Sequence, residues 1–143
     1  AVAADAAAFV LVVSDRLAAG RRDAGTGLQI LGGATLGGDP QEPGLAPVAA
    51  MRQVLRAAAI NPDTIAIAEV MEAYAVQAIA CVAGANLPPD RVNVGGGALA
   101  RGHPIGASGA ILAVRLFHEL QQGFGLAAIA AAGGIGTALL VAR

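Results

Sequence analysis

Apolar positions along this 143-residue chain fall into two kinds of run that alternate from end to end. Ala6 to Val13 (AAAFVLVV) is continuously apolar, as in a strand covered on both faces, and Ser14-Asp15-Arg16 then opens a short helical turn closed by Gly20. Arg21 to Gly27 reads as loop, Leu28 to Thr35 as a second strand, and the Gly- and Pro-rich piece Gly37 to Pro47 as a connection. Val48, Met51, Val54 and Leu55 recur at helical spacing, which predicts helix over Val48 to Ala59 with Pro47 in its first turn. Asn61-Pro62-Asp63-Thr64 ends it.

Ile65 to Val70 alternates enough for a strand, and Glu72 to Val82 resumes helix. Leu87-Pro88-Pro89-Asp90 is a loop, Arg91 to Val94 a short strand, and Ile105 to Gln122 a long helix carrying Leu112, Leu116 and Leu120. Two strands, Leu126 to Ala131 and Gly136 to Val141, close the chain. Helices alternating with nearly all-apolar strands imply one layered α/β domain over residues 1–143, its mixed sheet covered by helices on both faces.

Composition narrows the partners. Hydrophobic residues make up 56% of the chain and charged ones 13%, against a usual charged share of roughly 25%, so part of the surface is expected to lie in a subunit interface. Net charge is −1 and the nine basic residues are all Arg, scattered along the chain, which leaves no footprint for nucleic acid or an anionic membrane. Leu126 to Ala142 is uncharged but interrupted by Gly133-Gly134, and two strands around a turn explain it better than a membrane span. No secretory n-region opens the chain and Cys81 is alone, so the expected location is cytoplasmic and reducing. The chain begins on Ala1 without Met, as a processed or separately made piece would.

Two histidines and one cysteine without ligand spacing argue against a metal site, and no cofactor is indicated. His118 falls mid-helix and reads as a surface or structural residue, and Cys81, among apolar neighbours, as a buried small hydrophobe. Glu69 and Glu72 lie three apart at a strand-to-helix junction, where they either pair for acid/base work or, more simply, favour a helix N-terminus. The chemistry concentrates in NVGGGALARGHPIGASG, Asn93 to Gly109, which holds six of the twenty glycines and a lone His103 between Gly102 and Pro104. Glycines there permit close approach to a ligand, and Pro104 fixes one dihedral beside the imidazole. The alternative is a glycine-rich turn from strand to helix and nothing more.

This run resembles the second signature of the thiolases, with Asn93, Gly96, Gly97, Leu99, Ala100, Gly102, His103, Pro104, Gly106, Ser108 and Gly109 at its eleven fixed positions. AEVMEAYAVQA, Ala68 to Ala78, is similar to the family's Asn-Glu-Ala-Phe-Ala segment, and GLAAIAAAGGIGTALLVAR, Gly125 to Arg143, to its closing Cys-x-Gly-Gly-Gly-x-Gly segment. Asp5-Ala6-Ala7-Ala8 falls where the family has Asp-Gly-Ala-Ala. The resemblance implies a thiolase-like C-terminal domain that acts on acyl-CoA or CoA. His103 would activate a nucleophilic Cys and bind a thioester oxygen, with Gly102, Pro104, Met71 and Gly133 lining the substrate.

Departures from the pattern matter equally. The family's closing Cys falls on Ala130, its next Gly on Ala132, the Asn of Asn-Glu-Ala-Phe on Met71, and an Asn before the paired glycines on Gly95. Ala130 cannot move a proton, and Met71 cannot donate to an oxyanion as an amide does. The nucleophile-bearing half is also absent from these residues. The resemblance therefore implies one part of an acyl-CoA C-acyltransferase of lipid metabolism, completed by a thiolase N-terminal half or homologous chain in a hetero- or homo-oligomer. Three alternatives stand beside it: a non-catalytic thiolase-like partner, a retro-aldol lyase or decarboxylative condensing subunit, and a piece of a longer degenerate thiolase.

Overall fold

The computed structural model describes residues 1–20 and 26–143, so most of the loop expected at Arg21 to Gly27 lies outside the described residues. Ser14 caps a first helix, α1 (Asp15–Ala19), which ends on Gly20 as its sequence indicates. Strand β1 spans Gln29–Gly37, and a 3₁₀ turn at Pro43–Leu45 leads into α2 (Ala46–Ala57) with Pro47 in its first turn. A left-handed φ of 54° at Ala59 stops α2 two residues before the expected end, and the Ile60 N–H returns to the Leu55 carbonyl. β2 (Ile65–Val70) matches its expected span, and α3 (Ala75–Gly84) follows. Helix does not begin at Glu72 because Tyr74 is extended, with φ −138° and ψ 148°. A short α4 (Ala98–Arg101) and a 3₁₀ turn at Ile105–Ala107 precede α5 (Ser108–Glu119), β3 (Phe124–Ala131) and β4 (Ile135–Ala142).

The strands form one mixed sheet in the order β1-β4-β3-β2, with β4 antiparallel to both neighbours and β2 parallel to β3. Alternating residues divide the core. Leu126 and Ala128 of β3 and Ala138 and Leu140 of β4 pack with Met51, Val54 and Leu55 of α2 and Cys81 of α3. On the opposite face, Ala127 and Val141 pack with Leu112 and Leu116 of α5. Helices thus stand on both faces, as expected, although α5 lies mainly over β2 and β3. Beside it runs an apolar groove of about 430 Å³, lined by Gly33, Thr35, Leu112, Ile129, Thr137 and Leu139.

Three further expected elements differ. Ala6 to Val13 forms no strand: among the described residues no backbone pairs with it, and Phe9 and Leu11 are 90% and 79% exposed. Arg91 to Val94 reduces to a single parallel bridge between Ala68 and Val92, because Asn93 turns to a φ of 51° and offers its side chain to β2 instead. The last helix starts at Ser108 rather than Ile105, whose φ of 35° is outside the right-handed region. Among the described residues, no helix is long and apolar enough to cross a membrane.

Candidate active site

His103 is half-buried, and both its backbone and its ring are held. Its N–H donates to the Val2 carbonyl at 2.8 Å, its carbonyl accepts from Ala4 N–H at 3.4 Å, and its Nδ1 lies 2.7 Å from the Ser108 hydroxyl at the start of α5. Gly102 makes the approach possible. It has φ +92° and ψ 169°, a conformation closed to L side chains, and a Cβ there would lie 2.6 Å from the Ala4 Cβ. Pro104 starts the 3₁₀ turn that returns the chain to Ser108. The ring is therefore fixed through Nδ1, and Nε2 has no hydrogen-bond partner among the described residues.

A second group of contacts places this loop on the sheet. Asn93 accepts the Val70 N–H and donates to the Val70 carbonyl, each at 2.9 Å, so its side chain continues the β2 ladder in place of backbone. Glu72 accepts from Asn93 Nδ2 at 2.6 Å and from the Leu99 N–H at 3.0 Å. Gly97 is required here because a Cβ would fall 2.0 Å from the Glu72 carboxyl carbon. Glu72 thus serves a helix N-terminus, the simpler of the two expectations, but the helix is α4 rather than the one that follows it in sequence. Glu69 is separate from it: fully buried, it accepts from Arg115 Nε at 3.0 Å. Burial raises its pKa, and the Arg115 charge only partly opposes that shift. Arg115 also reaches Glu119 at 3.0 Å, and a Cβ on Gly95 would meet Arg115 Nη2 at 2.1 Å. Any side chain at position 95, Asn included, would therefore displace this ion pair.

The remaining candidates are spread over the fold. Met71 follows β2, its N–H bonds the Ala128 carbonyl at 2.9 Å, and its side chain is buried with Ala98, Leu112 and Ala127. Ala130 is near the C-terminal end of β3, paired with Gly136 of antiparallel β4, and Gly133 is exposed in the tight β3–β4 turn with φ 81°. His118 is exposed and edge-on to Phe117, and Cys81 is buried and donates to the Gly44 carbonyl at 3.1 Å. Sequence reasoning missed the joint role of Glu72 and Asn93 and the placing of Arg115. The signal available was the run Gly95 to Gly97, whose missing side chains make room for them.

A mixed sheet with helices on both faces and a Gly-His-Pro loop between α4 and α5 define a domain of the thiolase type. The family model described as the C-terminal domain of thiolase matches residues 27–143. A Bacillus subtilis (strain 168) protein provisionally named an acetyl-CoA C-acetyltransferase, YhfS, is 43% identical over 96% of the chain. The chain spans only 38% of that relative's length. Among solved structures, an Ascaris suum Acat5 thiolase in complex with coenzyme A superposes with a TM-score of 0.79 and 39% identity, over 82% of this chain and 31% of that one. The peroxisomal 3-ketoacyl-CoA thiolase of Saccharomyces cerevisiae, a five-layered α-β-α-β-α structure built from two core domains of identical topology, gives 0.79 and 30% over 82% and 34%. The chain belongs to the thiolase family and carries its C-terminal domain.

Proposed function

We propose that this domain is the C-terminal part of a thiolase-like acyl-CoA C-acyltransferase of cytoplasmic lipid metabolism, with the nucleophilic Cys supplied by a thiolase N-terminal half or a partner chain in a hetero- or homo-oligomer. The observation that carries this is the hydrogen bond fixing His103 Nδ1 to Ser108, which leaves Nε2 for a reactant. A serine hydroxyl can accept or donate, so the bond suits both neutral tautomers. With the proton on Nδ1 and donated to Ser108, Nε2 accepts a thiol proton. With Ser108 donating, Nε2–H donates to a thioester oxygen as negative charge develops there. Gly102 and Pro104 hold the ring for either task, and acyl-CoA enters as substrate, with neither metal nor cofactor invoked.

The bare Phe9 and Leu11 and the groove beside α5 support the need for a second half, since both expose apolar surface that water solvates poorly. Ala130 and Met71 narrow the reaction. A methyl group cannot carry an α-proton, so decarboxylative condensation, retro-aldol cleavage or thioester hydrolysis suits the site better than thiolysis through a closing Cys. The same two residues favour the second reading, a non-catalytic partner that stabilises an active chain.

The test is to purify the chain alone and with its co-purifying partner, then assay acyl-CoA thiolysis, condensation and cleavage. Turnover confined to the complex is expected. A stable monomer with no partner would contradict the proposal.

A further inference from the structure

We infer that Glu72 is a positioning residue for His103. The stretch Val70-Met71-Glu72 is tied to three neighbours at once: Val70 pairs with the Asn93 side chain, Met71 N–H with the β3 carbonyl of Ala128, and Glu72 with both Asn93 and Leu99. Leu99 N–H is one of the donors at the start of α4 that the helix itself cannot pair, and the Gly97 cap residue gives no side-chain hydrogen bond. α4 is only four residues long, so its first and last turns are the same turn. Gly102 N–H bonds the Ala98 carbonyl at 2.8 Å, and His103 is next in the chain. A shift at Leu99 is therefore handed to His103 with no intervening joint except Gly102.

The carboxylate is specified by the number of acceptors it offers. Oε1 takes Asn93 Nδ2 and Oε2 takes the Leu99 N–H, so both oxygens face donors. Glutamine supplies one oxygen and one NH₂, which would set donor against donor at Asn93 or at Leu99. Gly97 belongs to the same device, since any Cβ there would push the carboxylate off both partners. The functional importance of the device rests on His103 lying at the reacting centre, but its geometric effect does not.

The intact chain has two histidines, so ring ¹⁵N spectra separate His103 from the exposed His118, which serves as an internal control. In Glu72→Gln, the Leu99 amide should exchange about tenfold faster, as expected for one lost charge-assisted hydrogen bond. The His103 tautomer populations should move toward those of His118, while the Leu116 and Leu126 amides keep their protection. Gly97→Ala displaces the carboxylate with Glu72 intact and should give the same His103 change. If Leu99 exchange rises in either folded variant while the His103 resonances stay unchanged, Glu72 merely caps α4 and the inference is overturned. Because the ring is read rather than turnover, an inactive wild-type complex would defeat the proposed function without mimicking that result.

Discussion

Glu69 has no exposed surface, with one carboxylate oxygen on Arg115 and the other without a hydrogen-bond partner among the described residues. Burial disfavours its charged form more than the Arg115 charge and hydrogen bond and the Arg101 charge favour it, so its native pKa lies above the ordinary glutamate value. The unfolded chain therefore releases this proton at lower pH than the native domain does. Glu69's contribution to stability is therefore largest below the unfolded pKa and falls as pH rises through the raised native one. Thermal unfolding from acid to neutral pH should show that decline in the wild type and a flatter profile in Glu69→Gln. Residue-scale sequence reading singles out His103 and the replaced positions Met71 and Ala130 as candidates because they sit in a fixed, spaced motif. It could not divide Glu69 from Glu72, since that depends on which partner folds back from more than twenty residues away.

Element identities were legible where apolar spacing was long and regular, as in α2 and α5, and where a strand alternated, as in β2 and the β3–β4 pair. Boundaries moved where one residue's dihedral overrode the pattern. Ala59 and Ile105 take positive φ, and Tyr74 is extended, none of which hydropathy encodes. The Asn93 side chain standing in for a strand is equally invisible to spacing. Gly102 is the joint of this region, and Ala in its place should be strained by its φ and pressed against Ala4. Gly102→Ala is expected to lose about 1–3 kcal/mol in denaturant unfolding, the usual cost of forcing a side chain into a glycine-only conformation.

At the scale of the molecule, low charge and high apolar content raise the expectation of surface meant to be covered, and the structure exposes apolar side chains at Ala6 to Val13 and an apolar groove beside α5. The strand expected at Ala6 to Val13 failed for want of a partner backbone, a dependence that local sequence does not reveal. Phe9→Ser should leave the isolated domain's stability within about 0.5 kcal/mol, as is usual for exposed positions, but weaken association with a thiolase N-terminal half. Equal association of both proteins in analytical ultracentrifugation would show that this run is not part of the contact. The central claim concerns His103, and its most direct measurement is acyl-CoA turnover by the purified complex carrying His103→Ala against wild type. With His103 as proton acceptor and oxygen-binding group, kcat should drop by roughly 10²-fold or more, whereas unchanged turnover in a folded, fully assembled variant would contradict the account.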